Sequence, residues 1–338
     1  MPNNNIPVVS IIIPTYNMEE YIARCLDSVI IPEMEDIDVI VVNDGSTDKS
    51  HDIAISYANK YPASIRVIDK ANGHYGTTIN CGLEVARGKY FRILDSDDYF
   101  ESGQLSRFVH LLKDCDADLV VTARTEEQTY NGKLKYVCAK EVEYGKIYPY
   151  PSFSIQKHST DDGEFNMHTM TYKTEVLRKI GLRLPGGVCY TDMIYCMEPL
   201  NVIKTIVIYN LNLYHYIIGR DGSSTTGNEV KRNLKHICVV LEHMFAYCNN
   251  NPTSKDIQKD RERYIKEALS FFFVSILKHR HIEHDTYRHI STIIYNMKRS
   301  DVSHHKLKKY YIKPWFKHTT YINVNLWLII YKILHPFK

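Results

Sequence analysis

The stretch KYFRILDSDDYF, Lys89 to Phe100, runs from an apolar segment into three carboxylates in four positions: Asp95, Asp97 and Asp98, with Ser96 among them. Like charges this close repel, so an ordered chain needs something to compensate them. Two chemistries fit. Asp is favoured in turns and at helix N-termini, so Asp98 or Ser102 could cap a following helix. Alternatively, a hard divalent cation such as Mn²⁺ or Mg²⁺ takes one or two carboxylate oxygens here and completes its shell with substrate phosphates. The D-x-D spacing by itself leaves both open.

The elements that must position this cluster alternate. VVSIII (Val8–Ile13) is a β-branched run typical of a buried strand, ended by Pro14. Asn17, with Glu20 three residues on, resembles a capping box opening a helix that carries Ile22, Leu26 and Val29. DVIVVND (Asp38–Asp44) predicts a second strand, with Ser46 or Thr47 as cap of a helix bearing Ile53, Tyr57 and Tyr61. IRVID (Ile65–Asp69) predicts a third strand. KANGHYG leads from it into a helix with Ile79, Leu83 and Ala86, in which His74 and Tyr75 could reach a ligand. KYFRIL is the fourth strand. Leu105, Phe108, Val109 and Leu112 mark a helix, and DLVVTA (Asp118–Ala123) is the fifth strand. Repeated β-α-β units with short connections predict an α/β fold with a doubly wound, mostly parallel sheet. Such sheets bind ligands beyond the carboxyl ends of their strands. That edge would carry Thr15, Tyr16, Asp44, Lys70 and the acid cluster.

Beyond Thr125 the alternation fails. Residues 126–166 read as irregular strands and loops. Thr171–Pro185 reads as a strand entering a short helix, Thr191–Val202 as a helix, and Thr205–Ile218 as one or two strands. From about Glu229 onward the pattern is helical. The expected organisation is an alternating α/β segment over 1–125, an irregular segment over 126–227, and a helical region over 228–338.

Composition and absent motifs narrow the chemistry. The 338 residues carry a net charge of +3, 44% hydrophobic and 24% charged residues, the profile of a soluble globular protein. Eight cysteines without a C-x-x-C pair point to free thiols in a reducing compartment rather than to zinc or redox motifs. The N-terminal residues lack the basic region of a secretory signal, and no run is long and pure enough to span a membrane. The P-loop, the G-x-G-x-x-G fingerprint and the G-x-S-x-G elbow are all missing, so the polar strand edge has no built-in phosphate cradle. A cation held by Asp95 and Asp97 could take over that neutralising task.

Three separated segments, VSIIIPTYNMEEYIARCLDSV, VIVVNDGSTDKS and GLEVARGKYFRILDSDD, resemble in order and spacing the family 2 glycosyltransferases of GT-A fold. The likeness covers about residues 8–113. A looser one follows in TMTYKTEVLRKIGLRLPGGVCYTDMIYCMEPL and YHYIIGRDGSST, similar to bacterial members that build surface polysaccharides. The resemblance implies an inverting, metal-dependent transferase using a nucleotide sugar, above all a UDP-sugar. It implies that Pro14, Thr15 and Tyr16 line the nucleotide pocket, that Asp44 faces base or ribose, and that Lys70, Asn72 and Gly73 close over them. Asp95 with Ser96 would contact ribose or sugar, and Asp97, with Asp95, would ligate Mn²⁺ or Mg²⁺. His215 would be a third metal contact.

Inverting transfer is a single displacement, so the acceptor hydroxyl must give up a proton to a base opposite the leaving group. The resemblance places that base at Asp192 in VCYTDMIY. Asp192 also suits an early helical position, where an acid favours the dipole. Glu198 is the fallback. GRDGSST, bounded by glycines, suits a lid over a diphosphate, with Arg220, Ser223 and Ser224 as its contacts.

The last twenty residues, TTYINVNLWLIIYKILHPFK, are aromatic and aliphatic with basic flanks. They are expected to pack on the domain, to meet a second copy in a homodimer, or to lie peripherally at the inner face of the cytoplasmic membrane. A growing surface glycan or a lipid-linked acceptor would be the second substrate of a cytoplasmic enzyme, and no nucleic-acid recognition module is visible. Two other readings remain: a non-catalytic nucleotide-sugar-binding protein, which intact Asp97 and Asp192 disfavour, and a sugar nucleotidyltransferase. The latter's glycine-rich, Arg-containing loop is missing after the first strand.

Overall fold

A computed structural model describes residues 6–160, 163–220, 222–223, 229, 232–277 and 284–299. Its strands in chain order are β1 (Val9–Thr15), β2 (Ile37–Asn43), β3 (Ile65–Asp69), β4 (Tyr90–Ile93), β5 (Tyr99–Phe100), β6 (Leu119–Gln128), β7 (Leu134–Val137), β8 (Ile147–Pro149), β9 (Met170–Lys173) and β10 (Thr205–Ile218). The helices are α1 (Ile22–Ser28), α2 (Ser50–Lys60), α3 (His74–Val85), α4 (Ser102–Asp114), α5 (Ile155–His158), α6 (Thr174–Lys179), α7 (Asp192–Met197), α8 (Leu234–Asn250), α9 (Lys255–Leu277) and α10 (His284–Arg299).

One sheet organises the molecule, in the order β3-β2-β1-β4-β9-β6-β10-β5, with β7 added to β6 and β8 to β10. β3, β2, β1 and β4 are mutually parallel, as are β6 and β10. The architecture is α/β, with helices on both faces of the sheet. β1 shows why. Side chains alternate across a strand, and both of its faces are buried. Ile11 and Ile13 pack with Ile22, Leu26, Phe108 and Leu112 on the α1/α4 side. Ile12 packs with Ile79 and Leu83 on the α3 side, in a core that extends to α8 and α9. Each such isoleucine contributes roughly 1.5–3 kcal/mol by leaving water.

One strand breaks the parallel order. β9 lies antiparallel between β4 and β6, pairing Phe91 with Tyr172 and Val120 with Thr171. An antiparallel strand starts where its neighbours end. The residues leading into β9 therefore arrive at the carboxyl edge, beside Asp95. Because β6 and β10 run parallel to β4, the residues following β10 reach the same edge. β6 passes straight through residue 125, so the first two segments expected from sequence share one continuous sheet.

Three capping expectations are corrected. Asn17 does not open a helix: it sits at φ 53°, its Oδ1 accepts from the Thr47 amide at 2.8 Å, and it straps the loops after β1 and β2 together. α2 begins at Ser50, past Ser46 and Thr47, without a side-chain cap. α4 is capped by Glu101, which accepts from the Gly103 and Gln104 amides, and not by Asp98 or Ser102. Among the described residues no helix is long and apolar enough to cross a membrane. The C-terminal twenty residues lie outside the described residues.

Candidate active site

The carboxyl ends of β1, β2 and β4 deliver three loops to one place. After β1, Thr15 is buried and Tyr16 is half exposed. After β2, the buried Asp44 carboxylate accepts from Lys70 Nζ at 2.5 Å and from the Gly73 amide at 2.9 Å. The first strand loops are thereby tied to the start of α3, where Asn72 stays exposed. After β4 come the acids. Ser96 is buried and donates to the Pro14 carbonyl at 2.8 Å, which locks this turn against the first loop.

Each acid has a different partner. Asp95 Oδ1 accepts from Tyr75 OH at 2.8 Å. Asp97 Oδ2 accepts from Arg220 Nε at 2.5 Å, and its carbonyl from Arg24 at 2.7 Å. Asp98 is buried, accepting from Tyr214 OH at 2.6 Å and the Ile217 amide at 2.8 Å. Protein groups therefore supply part of the compensation, with Arg220 the cation nearest Asp97. It does not suffice to hold all three acids at ordinary values. Burial, then the Asp97 charge, pushes Asp95 up to about 7 despite the Tyr75 bond. Burial and the charges of Asp97 and Asp95 raise Asp98 well above the carboxylate range. A cation would reverse that trend, since its charge favours the ionised forms.

The chain brings Asp192 to the same place from the far half. It is the first residue of α7, and the loop ahead of it is clamped to α3. Asn80 pairs twice with Leu184, at 2.8 and 2.9 Å, and the Gly187 amide donates to the Gly73 carbonyl at 2.9 Å. Gly76 permits this contact: a Cβ there would collide with the Pro185 carbonyl and sit 3.2 Å from Thr191 Oγ1. Burial pushes Asp192 up to about 6. A carboxylate with that value is still ionised at neutral pH and is a stronger base than an ordinary aspartate.

A cavity of about 350 Å³ joins these groups. Its lining includes Pro14, Thr15, Tyr16, Asp44, Asn72, Asp95, Ser96, Asp97, Asp192, Arg220 and Ser223, all singled out from sequence. His74 and Tyr75 line it too. Lys70 and Gly73 stand behind it through Asp44. A larger cavity of about 670 Å³ opens at the opposite strand edge, but Lys113, Lys173 and Arg87 on its rim are already paired with Asp36, Asp116 and Asp38.

The model of the glycosyl transferase family 2 matches residues 10–181, just over half of the chain. The chain belongs to glycosyl transferase family 2. It is accordingly a transferase enzyme. It is 27% identical over 305 residues to the uncharacterized glycosyltransferase EpsJ of Bacillus subtilis (strain 168), covering 88% of this chain and 87% of the relative. It is 30% identical over 288 residues to the poly(ribitol-phosphate) beta-glucosyltransferase of Bacillus spizizenii, covering 75% of this chain and 43% of that one. Among solved structures, S. aureus TarS 1–349 in complex with UDP-GlcNAc superposes with a TM-score of 0.66 at 18% identity, covering 97% of this chain and 92% of that one. That likeness carries the GT-A fold.

Against this family 2 frame, two sequence expectations land elsewhere. His215 is not at the acid cluster. It alternates with Tyr214 along β10, so its side chain leaves by the other face, bonds Glu127 through Nδ1 at 2.6 Å and stacks on Tyr99 at 4.6 Å. Glu198, the fallback base, is buried against His243 at 2.7 Å and does not line the cavity. Ser224 lies outside the described residues. The histidine that does reach the cluster is His168, which sequence reasoning missed. It precedes β9 in FNMHTMTY, about seventy residues from DSDD, and no spacing rule connects the two. Met167, Cys189, Tyr190 and Tyr216 also line the wall and were likewise unmarked.

Proposed function

We propose that this family 2 enzyme is an inverting, metal-dependent glycosyltransferase that moves a sugar from a UDP-sugar to a hydroxyl of a growing bacterial surface glycan or a lipid-linked acceptor. The observation that carries the reading is the convergence of Asp95, Asp97 and Asp192 on one cavity beside the Pro14–Tyr16 and Asp44 loops. The UDP-GlcNAc complex of TarS and the poly(ribitol-phosphate) acceptor in the name of a relative support the choice of donor and of a surface polymer.

The donor set fits a hard divalent cation, because carboxylates are destabilised there by one another and by burial. Asp95 and Asp97 would hold Mn²⁺ or Mg²⁺, and the ion when bound neutralises charge on the diphosphate leaving group. The remaining work belongs to the chain. Asp44, Lys70 and the Gly73 amide fix the loop that receives base and ribose. Arg220 turns from Asp97 to the diphosphate oxygens, assisted by Ser223. Asp192 accepts the acceptor hydroxyl's proton as that oxygen bonds to the anomeric carbon, while the bond from that carbon to the diphosphate oxygen breaks with its electron pair leaving on UDP. No nucleic acid enters this reading.

A thermal-shift screen of nucleotide sugars with and without Mn²⁺ tests it. A ligand that binds only the native state raises the melting temperature by mass action. A UDP-sugar should do so, more strongly with Mn²⁺, whereas GDP- and CMP-sugars should not. If no donor stabilises the protein, the proposal is wrong.

A further inference from the structure

His168 is buried to about nine-tenths and lines the cavity; among the described residues its Nδ1 is buried without a hydrogen-bond partner, and its Nε2 meets Asp95 only beyond hydrogen-bond distance. Its surroundings hold the ring firmly. Tyr216 stacks on it at 4.1 Å, Tyr214 meets it edge-on at 5.0 Å, and its own carbonyl accepts from the buried guanidinium of Arg92. A ring held this firmly, with Nε2 turned to the acid cluster and without a hydrogen bond, is placed to take a ligand there. Nε2 faces Asp95 Oδ2 at 4.0 Å, too long for a hydrogen bond. Two atoms each about 2.1 Å from one ion lie between roughly 3 and 4.2 Å apart, so the gap is of the width a shared cation spans. Ligand atoms of Asp95, Asp98 and His168 all fall within 4.8 Å of one another. Both Asp98 oxygens are already occupied by Tyr214 and Ile217, which leaves Asp95 and His168 as the open pair.

We propose that His168 Nε2 is a direct ligand of the catalytic cation, bound together with Asp95, and that it fills the role His215 cannot reach. The inference rests on the metal-dependent reading given above. Its chemical consequence is selectivity. Imidazole is a better partner for Mn²⁺ than for Mg²⁺, which favours oxygen throughout its shell. The antiparallel direction of β9 brings this nitrogen donor to the edge where β4 delivers carboxylates.

The test uses the full-length protein with Mn²⁺ and UDP, read by pulsed electron paramagnetic resonance. Bound Mn²⁺ should show nitrogen modulation from one imidazole, changed by ¹⁵N-histidine labelling. His168→Gln should lose it and weaken Mn²⁺ binding in the presence of UDP at least tenfold, while narrowing the preference for Mn²⁺ over Mg²⁺. His215→Gln should keep it. Bound Mn²⁺ without nitrogen coupling in the wild type overturns the ligand assignment and leaves the metal-dependent reading standing, and this outcome needs no variant to fold. Coupling that survives in His168→Gln also overturns it. Failure of Mn²⁺ to bind with UDP at all overturns both.

Discussion

Asp192→Asn separates catalysis from binding and from stability in one variant. The substitution is isosteric, so the helix start and the cavity shape persist, but the amide cannot accept the acceptor's proton. General-base catalysis contributes about 10²–10⁴-fold, so kcat should fall by that factor, equivalent to roughly 2.7–5.5 kcal/mol of transition-state stabilisation. Stability should move the other way. Asp192 sits at about 6 in the fold, against roughly 4 in an unfolded chain, a difference worth about 3 kcal/mol. The sign follows from the raised value. The ionised form is disfavoured in the fold, so the penalty is absent below about pH 4, develops between pH 4 and 6, and is complete above. The favourable pull of the amides at the start of α7 on the charge is already contained in that net value. The variant should therefore melt a few degrees higher at pH 7. In the wild type, turnover should drop about tenfold per pH unit below roughly pH 6, as the base is protonated. The assay is single-turnover UDP release with the donor found by thermal shift, beside a melting curve and a UDP titration. A kcat within tenfold of wild type refutes the base assignment. A loss of UDP affinity as large as the loss of kcat would move Asp192 from chemistry to binding.

Two further outcomes test the acid cluster. Arg220→Gln removes the cation that holds Asp97. UDP affinity should fall about tenfold or more for want of a charge-assisted contact. Mn²⁺ affinity without nucleotide should rise, because the ion no longer displaces a guanidinium, and calorimetric titrations showing both affinities falling would exclude this exchange. Tyr214→Phe leaves the buried Asp98 carboxylate with the Ile217 amide alone. It should cost about 1–3 kcal/mol in denaturant unfolding, and a change below about 0.5 kcal/mol would show that Tyr214 does not hold the acid.

The N-terminal half was legible because its signals are local. A β-branched run, a stop at Pro14 or Asn43-Asp44-Gly45 and a periodic apolar helix each predict one element. The parallel rule then predicts that the polar strand ends share an edge. Thr15, Asp44, Asp95 and Asp97 follow from that reasoning. Caps were less legible, because a capping residue is chosen by where the helix starts, and tertiary packing sets that. Glu101 won over Asp98 since Asp98 is drawn inward by Tyr214 and Ile217, which lie about 120 residues away in sequence.

By itself the sequence determined the alternating architecture, the acid cluster at a strand end, the absence of a phosphate-binding loop and the family motifs that carry Asp192. Tertiary structure decided which side chains meet. The reversal of β9 put His168 beside Asp95, and strand alternation in β10 sent Tyr214 inward and His215 to Glu127. Strand direction and face depend on pairings between distant segments, set by burial on both sides of the sheet. No local pattern around His168 or His215 records them.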